Sequence, residues 1–169
     1  MHIFLTGAVQ VGKSTVIDKT LQLWGVTPGG FRTYFGADRS ALRHQLYLCA
    51  GGEERPCDDA HAIAAFVPGS PPCLDVQRFE ELALAALQNE DAPLLLMDEC
   101  GRLEQKATRF HKRVYALLEG DTPILGVLRQ DADGWLDVIR RHPRVQVITV
   151  TEENRNALPE QLAALLRRQ

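Results

Sequence analysis

The chain has 169 residues, of which 45% are hydrophobic and 24% charged, values typical of a globular protein, and the length predicts one domain over residues 1–169. Its net charge of -3 and its lack of basic runs argue against nucleic-acid binding, and it has no apolar stretch of membrane-spanning length. The amino terminus lacks the charged segment of a secretory signal, so we predict a cytoplasmic protein with no membrane partner.

The chain begins with a predicted strand over residues 2–6, followed by a glycine-rich turn and a helix. Residues 7–14 read GAVQVGKS, which fits the G-x-x-x-x-G-K-[ST] pattern of the phosphate-binding P-loop, or Walker A element. The glycines let backbone N–H groups converge on a phosphate, Lys13 brings positive charge and a catalytic role, and Ser14 is the expected Mg²⁺ ligand. The predicted nucleotide-binding residues are Gly7, Ala8, Val9, Gln10, Val11, Gly12, Lys13, Ser14 and Thr15.

The next stretch predicts strands and loops without a chemical motif. Strands at 31–35 and 43–49 flank a polar link, which indicates an antiparallel hairpin at one edge of the sheet. An acidic loop at 50–60 and a short strand at 63–67 follow. The link and the loop hold only scattered arginines, which disfavours the Arg-rich lid of a kinase.

A second chemical landmark follows a helix that begins after Asp75, its predicted N-cap, and ends before Pro93. Residues 94–98 read LLLMD, an apolar run ending in an acid, as in a buried parallel strand with the Walker B pattern. We predict that Asp98 supports Mg²⁺ together with the P-loop serine. The adjacent Glu99 is the predicted general base that activates water.

Strands and helices alternate through the rest of the chain. The predicted elements are a helix at 106–118, a strand at 124–128, a short helix around Trp135, a strand at 145–150 and a helix at 159–168. This alternation predicts an α/β, three-layer P-loop NTPase fold, a mostly parallel sheet with helices on both faces and an antiparallel edge hairpin. Arg129 follows one of the strands, so it is a candidate for phosphate contact or for a surface ion pair.

With these residues in place, the chain resembles the small P-loop nucleoside-triphosphatase family of thermophilic bacteria and archaea, which has a cancer-related vertebrate member. The resemblance runs almost end to end. It is carried by residues 7–15, the Gly-Gly-Phe turn at 29–31, the segment 74–80, the segment 98–104 (DECGRLE) and the pair Asn154-Arg155. Segment 98–104 is similar to the family's Asp-Glu-Ile-Gly-Lys-Met-Glu signature, although Cys100 replaces the usual Ile and alters the packing beside the base.

The resemblance implies slow, Mg²⁺-dependent hydrolysis of nucleoside triphosphates, ATP and GTP among them, with broad base tolerance. It also implies that Asn154 and Arg155 lie near the nucleotide. The alternatives are a small-molecule or nucleotide kinase on the same fold, and a nucleotide-dependent switch. The candidates for an arginine finger are Arg102, Arg129, Arg155 and an arginine of another subunit, and the sequence does not choose among them. It also does not determine the base preference, the protein partners or the oligomeric state.

Overall fold

An eight-stranded β-sheet organises the protein in the computed structural model, which describes residues 1–89, 91–130 and 134–168. The strands are β1 (His2–Thr6), β2 (Gly29–Phe35), β3 (His44–Ala50), β4 (Ala62–Phe66), β5 (Cys73–Leu74), β6 (Leu95–Cys100), β7 (Ile124–Leu128) and β8 (Val145–Thr149). The helices are α1 (Lys13–Trp24), α2 (Val76–Ala86), α3 (Thr108–Glu119), α4 (Trp135–Arg140) and α5 (Leu158–Leu166). Two short 3-10 turns lie at Ala37–Ser40 and Leu103–Lys106.

The strand order β5-β4-β3-β2-β6-β7-β1-β8 confirms the predicted α/β fold with a mostly parallel sheet and an antiparallel edge. Strands β2, β6, β7, β1 and β8 are parallel neighbours, and β3, β4 and β5 continue from β2 as antiparallel neighbours. The antiparallel edge is therefore wider than the predicted hairpin, and its first strand, β2, lies inside the sheet.

Two glycines explain why β2 lies in the interior. Gly29 and Gly30, which mark a turn in the sequence, instead form the first two residues of β2 and pair with Leu95 and Leu96 of β6. Gly30 has a φ of 78°, and a Cβ atom there would lie 2.0 Å from the carbonyl oxygen of Leu96. Only glycine allows the two strands to come this close, so Gly30 joins the antiparallel strands to the parallel ones.

Helices cover both faces of the sheet and give three layers. Helices α1 and α5 pack on one face, where the buried core residues include Ile3, Leu5, Val16, Ile17 and Leu162. Helices α2, α3 and α4 cover the other face, where Phe4, Phe31, Phe79, Phe110 and Leu136 are buried. The apolar residues of each helix are spaced by three or four positions, so each helix buries a single stripe.

Observed boundaries lie within a few residues of most predicted ones. The clearest differences are that α2 ends at Ala86, well before Pro93, and that β6 continues through Asp98 to Cys100. Strand β5 was not predicted, because two residues are too few for a periodic signal. Asp75 is the N-cap of α2, and its side chain accepts a hydrogen bond from the backbone N–H of Arg78, as predicted. In the described ranges, no helix combines the length and the apolar character needed to cross a membrane.

Candidate active site

The P-loop is a tight turn between β1 and α1, at the carboxyl end of the parallel strands. Gly7 has a φ of 136°, and a Cβ atom there would lie 2.6 Å from the carbonyl oxygen of Val150. Gly12, the N-cap of α1, has a φ of 109°. The turn presents the amino end of α1 to a cavity lined by Gly7, Ala8, Val9, Gln10, Gly12, Lys13, Ser14 and Thr15. Val11, the remaining predicted member of the loop, packs against the core.

Lys13 closes over this loop. Its ammonium group donates hydrogen bonds to the carbonyl oxygens of Gly7, at 3.0 Å, and Ala8, at 2.8 Å. These contacts hold the ammonium group against the loop backbone, beside the amino end of α1. An anion in the cradle would therefore meet a fixed positive charge and the positive end of the α1 dipole together.

Asp98 lies beside the P-loop on the neighbouring side of the cavity. It is buried, and its Oδ1 accepts a hydrogen bond from the Ser14 hydroxyl at 3.3 Å. Burial raises the pKa of Asp98 to about 6, against the nearby guanidinium of Arg32, which lowers it. The carboxylate is therefore poorly compensated, and a cation beside it would favour the ionised form.

The pair of oxygen donors fits Mg²⁺. A carboxylate and a hydroxyl are hard ligands, and Mg²⁺ usually keeps several waters and takes few protein ligands. Among the described residues, no cluster of three or more His, Cys, Asp or Glu side chains could hold a metal ion. Ser14 and Asp98, which meet at 3.3 Å, are the residues that would hold Mg²⁺ in this cavity.

Glu99 follows Asp98 at a register shift between β6 and β7. Its backbone N–H donates to the hydroxyl of Thr33 at 3.2 Å, and this hydroxyl donates to the carbonyl oxygen of Asp98 at 3.3 Å. Its carboxylate, 37% exposed, lies 3.8 Å from the guanidinium of Arg129. Glu99 and Arg129 both line the cavity, so the ion pair of Arg129 lies at the position where phosphate contact was the other predicted role.

Glu104 supports the backbone that follows Glu99. It is buried, and its Oε2 accepts a hydrogen bond from the backbone N–H of Gly101 at 2.8 Å. The indole N–H of Trp135 donates to the carbonyl oxygen of Gly101 at 3.2 Å, so both polar groups of that residue are held. Burial raises the pKa of Glu104 to about 7. Its position at the end of segment 98–104 offered a signal, but the sequence did not show what the carboxylate contacts.

Arg32 is a site residue that the sequence did not reveal. It is 6% exposed, it is the β2 partner of Asp98 in the strand register, and it forms an ion pair with Asp18 of α1 at 2.5 Å. Arg55, from the acidic loop, binds the other oxygen of Asp18 at 3.2 Å. Asp18 thereby ties β2 and the loop to the P-loop helix. No local pattern marks Arg32, because its partners lie on α1 and β6.

The predicted pair Asn154-Arg155 lies next to the P-loop, outside the cavity lining. The Asn154 side chain accepts from the N–H of Thr151 and donates to the carbonyl oxygen of Thr149, each at 2.8 Å, which fixes the turn after β8. The Arg155 guanidinium donates to the carbonyl oxygen of Val11 at 3.3 Å. The structure therefore brings Arg155 to the P-loop at Val11 but not into the lining of the cavity.

Arginines from several parts of the chain converge on the same cavity. Its lining includes Arg32, Arg39, Arg55, Arg102 and Arg129. Of the three finger candidates, Arg102 and Arg129 reach the cavity, and Arg155 does not. Arg39 and Arg55 belong to the two excursions whose arginines looked scattered in the sequence, and the fold brings both to the lining of one cavity.

Comparisons with known proteins agree with this arrangement. A family model described as NTPase matches residues 2–163. The nucleoside-triphosphatase THEP1 of Methanosarcina acetivorans is 31% identical, over 96% of this chain and 94% of that protein. The solution structure of a human cancer-related nucleoside triphosphatase has a TM-score of 0.76 and 27% identity, with 99% of this chain and 98% of that one covered. The crystal structure of THEP1 from Aquifex aeolicus shares the fold, with a TM-score of 0.80, 24% identity, and 99% and 100% coverage.

Proposed function

The chain belongs to the NTPase family, as its resemblance to the small P-loop nucleoside triphosphatases predicted, and from this premise we propose that it hydrolyses nucleoside 5′-triphosphates to the diphosphate and phosphate. ATP and GTP are both substrates in this proposal, with Mg²⁺ as cofactor, slow turnover and broad base tolerance. One sheet runs through the described elements, which supports a single domain, and we propose a cytoplasmic location because nucleoside triphosphates are made and used there.

The observation that carries the proposal is the convergence of the P-loop with the end of β6. The Ser14 hydroxyl meets Asp98 at 3.3 Å, Lys13 lies over the loop, and Glu99 faces the same cavity. Bound Mg²⁺ would neutralise charge on the phosphates and polarise the γ-phosphoryl group. Phosphoryl transfer is mostly positioning and charge stabilisation, and this cavity provides both.

Each residue has a defined part in this mechanism. The P-loop N–H groups and Lys13 bind the β- and γ-phosphates. Glu99 accepts a proton from the attacking water and directs its oxygen to the γ-phosphorus. Arg129 holds the Glu99 carboxylate in place and adds positive charge at the γ end.

The test compares wild type with Glu99→Gln, measuring phosphate release from ATP and from GTP with Mg²⁺, and nucleotide binding by calorimetry. We expect the variant to bind normally and to lose about 100-fold or more in rate, because the amide cannot take the proton. The control is Glu160→Gln, an exposed acid on α5, which should match wild type. No phosphate release by wild type from either nucleotide would refute the hydrolase, and unchanged release by Glu99→Gln would remove Glu99 from the mechanism.

A further inference from the structure

The cavity that begins at the P-loop continues well past the γ-phosphate end. Its volume is about 890 Å³, near the upper end of the range for ligand pockets. The wall farthest from the P-loop is lined by Phe35, Arg39, Leu46 and Phe66, here called the distal subsite. These side chains come from β2, β3, β4 and the 3-10 turn between β2 and β3. Triphosphate hydrolysis makes no use of an apolar and aromatic wall.

The distal subsite begins next to the predicted base. Side chains alternate along a strand, so Phe31, Thr33 and Phe35 lie on the same face of β2. This face packs against α2 and α3, because Phe31 is buried in their core cluster. Thr33 contacts the backbone of Glu99, and Phe35 follows about 7 Å farther along the strand. In the strand order, β3 and β4 lie across β2 from β6 and β1. The subsite therefore lies beyond Glu99, on the side away from the P-loop.

The nucleotide's own base is expected at the opposite flank. Arg155 contacts the P-loop at Val11, and Asn154 holds the turn after β8, the strand that pairs with β1 on the side away from β6. A nucleotide whose γ-phosphate faces Glu99 and whose base lies towards Arg155 leaves the distal subsite unfilled. A second molecule can then lie beside the γ-phosphate.

The side chains of the subsite define the chemistry of that molecule. The rings of Phe35 and Phe66 lie 5.4 Å apart, edge to face. The His44 ring stacks on Phe66, with the centroids 4.9 Å apart, and both phenylalanines line the cavity with the partly buried surface that remains. Leu46 adds a buried apolar surface. The Arg39 guanidinium lies 5.1 Å from the Phe35 ring centroid and, within the described ranges, has no carboxylate at ion-pair distance. An aromatic ring with an attached anionic group matches these contacts.

We propose that the distal subsite binds a phosphoryl acceptor, a small aromatic compound that carries one anionic group and one alcohol hydroxyl. The proposal rests on the triphosphate site described above. The aromatic ring packs on Phe35 and Phe66, the anion pairs with Arg39, and the hydroxyl lies beside Glu99 in the place of the attacking water. The scattered arginines of the sequence disfavoured a kinase. The fold supports a kinase, because it brings Arg39 to the cavity of Glu99.

The transfer step balances without another reactant. The acceptor oxygen forms a bond to the γ-phosphorus as the bond from that phosphorus to the β–γ bridging oxygen breaks. The nucleoside diphosphate leaves with the electrons of that bond, and the hydroxyl proton passes to the Glu99 carboxylate. With no acceptor in the subsite, water takes the same position and the products are diphosphate and phosphate, so slow hydrolysis is the reaction without acceptor.

The test uses para-(hydroxymethyl)benzoate, which has the ring, the anion and a primary alcohol. The full-length protein is incubated with ATP and Mg²⁺, with and without this probe, and free phosphate and phosphorylated probe are measured in the same sample by chromatography and phosphorus NMR. We expect phosphorylated probe to form and its yield to saturate with probe concentration. Benzyl alcohol, which lacks the anion, should give at least about tenfold less product, since a charged hydrogen bond is lost.

Variants locate the site. Arg39→Ala should lower the ratio of transfer to hydrolysis at least about tenfold. The matched control is Arg43→Ala, an exposed arginine in the same connection that does not line the cavity, and its ratio should equal that of wild type. Hydrolysis without any phosphorylated probe would overturn the acceptor subsite and leave the hydrolase standing. Transfer that ignores Arg39 would overturn the assigned location, and absence of both reactions would refute the triphosphate site itself.

Discussion

The P-loop flank of the cavity (β1, β6, β7, β8 and α1) and its antiparallel flank (β2 to β5 and their connections) face the same space but are built differently. The P-loop flank places Lys13, Ser14 and Asp98 through short contiguous motifs at the ends of parallel strands. The antiparallel flank contributes Arg32 and Arg39 from segments without any motif. Binding a phosphate requires a strict local backbone geometry, so the residues of the P-loop flank follow a sequence motif. Charge and apolar surface can be supplied by many backbone arrangements, so the residues of the antiparallel flank follow none.

This contrast suggests a division of labour. The motif-bearing flank has the groups that any P-loop hydrolase needs, and they would bind a triphosphate and Mg²⁺. The antiparallel flank determines what lies beyond the γ-phosphate. The two flanks meet where β2 pairs with β6. Gly30 is opposite Leu96 there, and Arg32 is opposite Asp98.

The largest expected effect comes from separating the flanks at their join. Gly30→Ala would put a Cβ atom 2.0 Å from the Leu96 carbonyl oxygen at a φ of 78°, so we expect a loss of roughly 4 kcal/mol or more in unfolding free energy. Gly69→Ala is the matched control, because Gly69 has a φ of 77° with no atom within 4 Å of the added carbon, and it should cost only about 1 kcal/mol. Chemical denaturation measures both. Equal losses would mean that the close approach of β2 to β6 is not required.

The next effect tests the P-loop flank alone. Lys13→Ala removes the charge held over the loop, and we expect nucleotide affinity and phosphate release to fall, the release rate by about 1,000-fold. Lys19→Ala, an exposed lysine on the same helix, is the control. Calorimetry and a phosphate assay provide the readouts. If Lys13→Ala behaved like Lys19→Ala, the cavity would not bind the phosphates.

A pH titration tests the support behind Glu99. The pKa of Glu104 is raised from 4.5 to about 7, so its ionisation disfavours the folded state. Its stabilising contribution is complete below pH 4.5 and is lost as pH rises through 7, by roughly 3 kcal/mol. The charge of Glu99 raises the pKa of Glu104 and the charge of Arg129 lowers it, but burial has the larger effect. The pKa of Asp98 is also raised, and this contribution is the same in wild type and in a variant changed only at Glu104.

Glu104→Gln removes this titration and keeps an oxygen that can accept from Gly101. The unfolding free energy of wild type minus that of the variant should therefore fall between pH 4.5 and 7, as followed by denaturation at several pH values without nucleotide. A difference that stays constant with pH would show that Glu104 is not held in a site that resists its ionisation.

The smallest effect tests whether the antiparallel flank assists phosphate chemistry. Arg32→Lys keeps the charge beside Asp98 but loses the planar fork that meets Asp18, so we expect about a tenfold fall in phosphate release with little change in fold. Arg144→Lys is the control. Arg144 directly precedes β8, at the end of the sheet away from the cavity, and it forms an ion pair with Asp121. Equal rates in the two variants would leave the antiparallel flank without a part in hydrolysis.

Much of the P-loop flank was predictable from the sequence. Residues 7–14 and the run ending at Asp98 are contiguous patterns, and a strand, a glycine turn and a helix place such residues wherever they occur. The N-cap at Asp75 and the buried stripes of the helices were predicted for the same reason, since they depend on neighbours in the chain. Arg129 was predicted only to follow a strand, as a candidate for phosphate contact or a surface ion pair. The structure alone shows that its strand, β7, is the neighbour of β6 and that its ion-pair partner is Glu99.

The P-loop, the alternation of strands and helices, the α/β class and the family could all be read from the residues in order. Only the folded protein shows that β2 lies inside the sheet, that Arg32 pairs with Asp98 in the strand register, and that Arg39 and Phe66 line the cavity of Glu99. The physical reason is that these contacts depend on strand order and on close approach at Gly30, not on spacing along the chain. An arginine in a polar link has the same local pattern whether it is solvated or turned into a binding site.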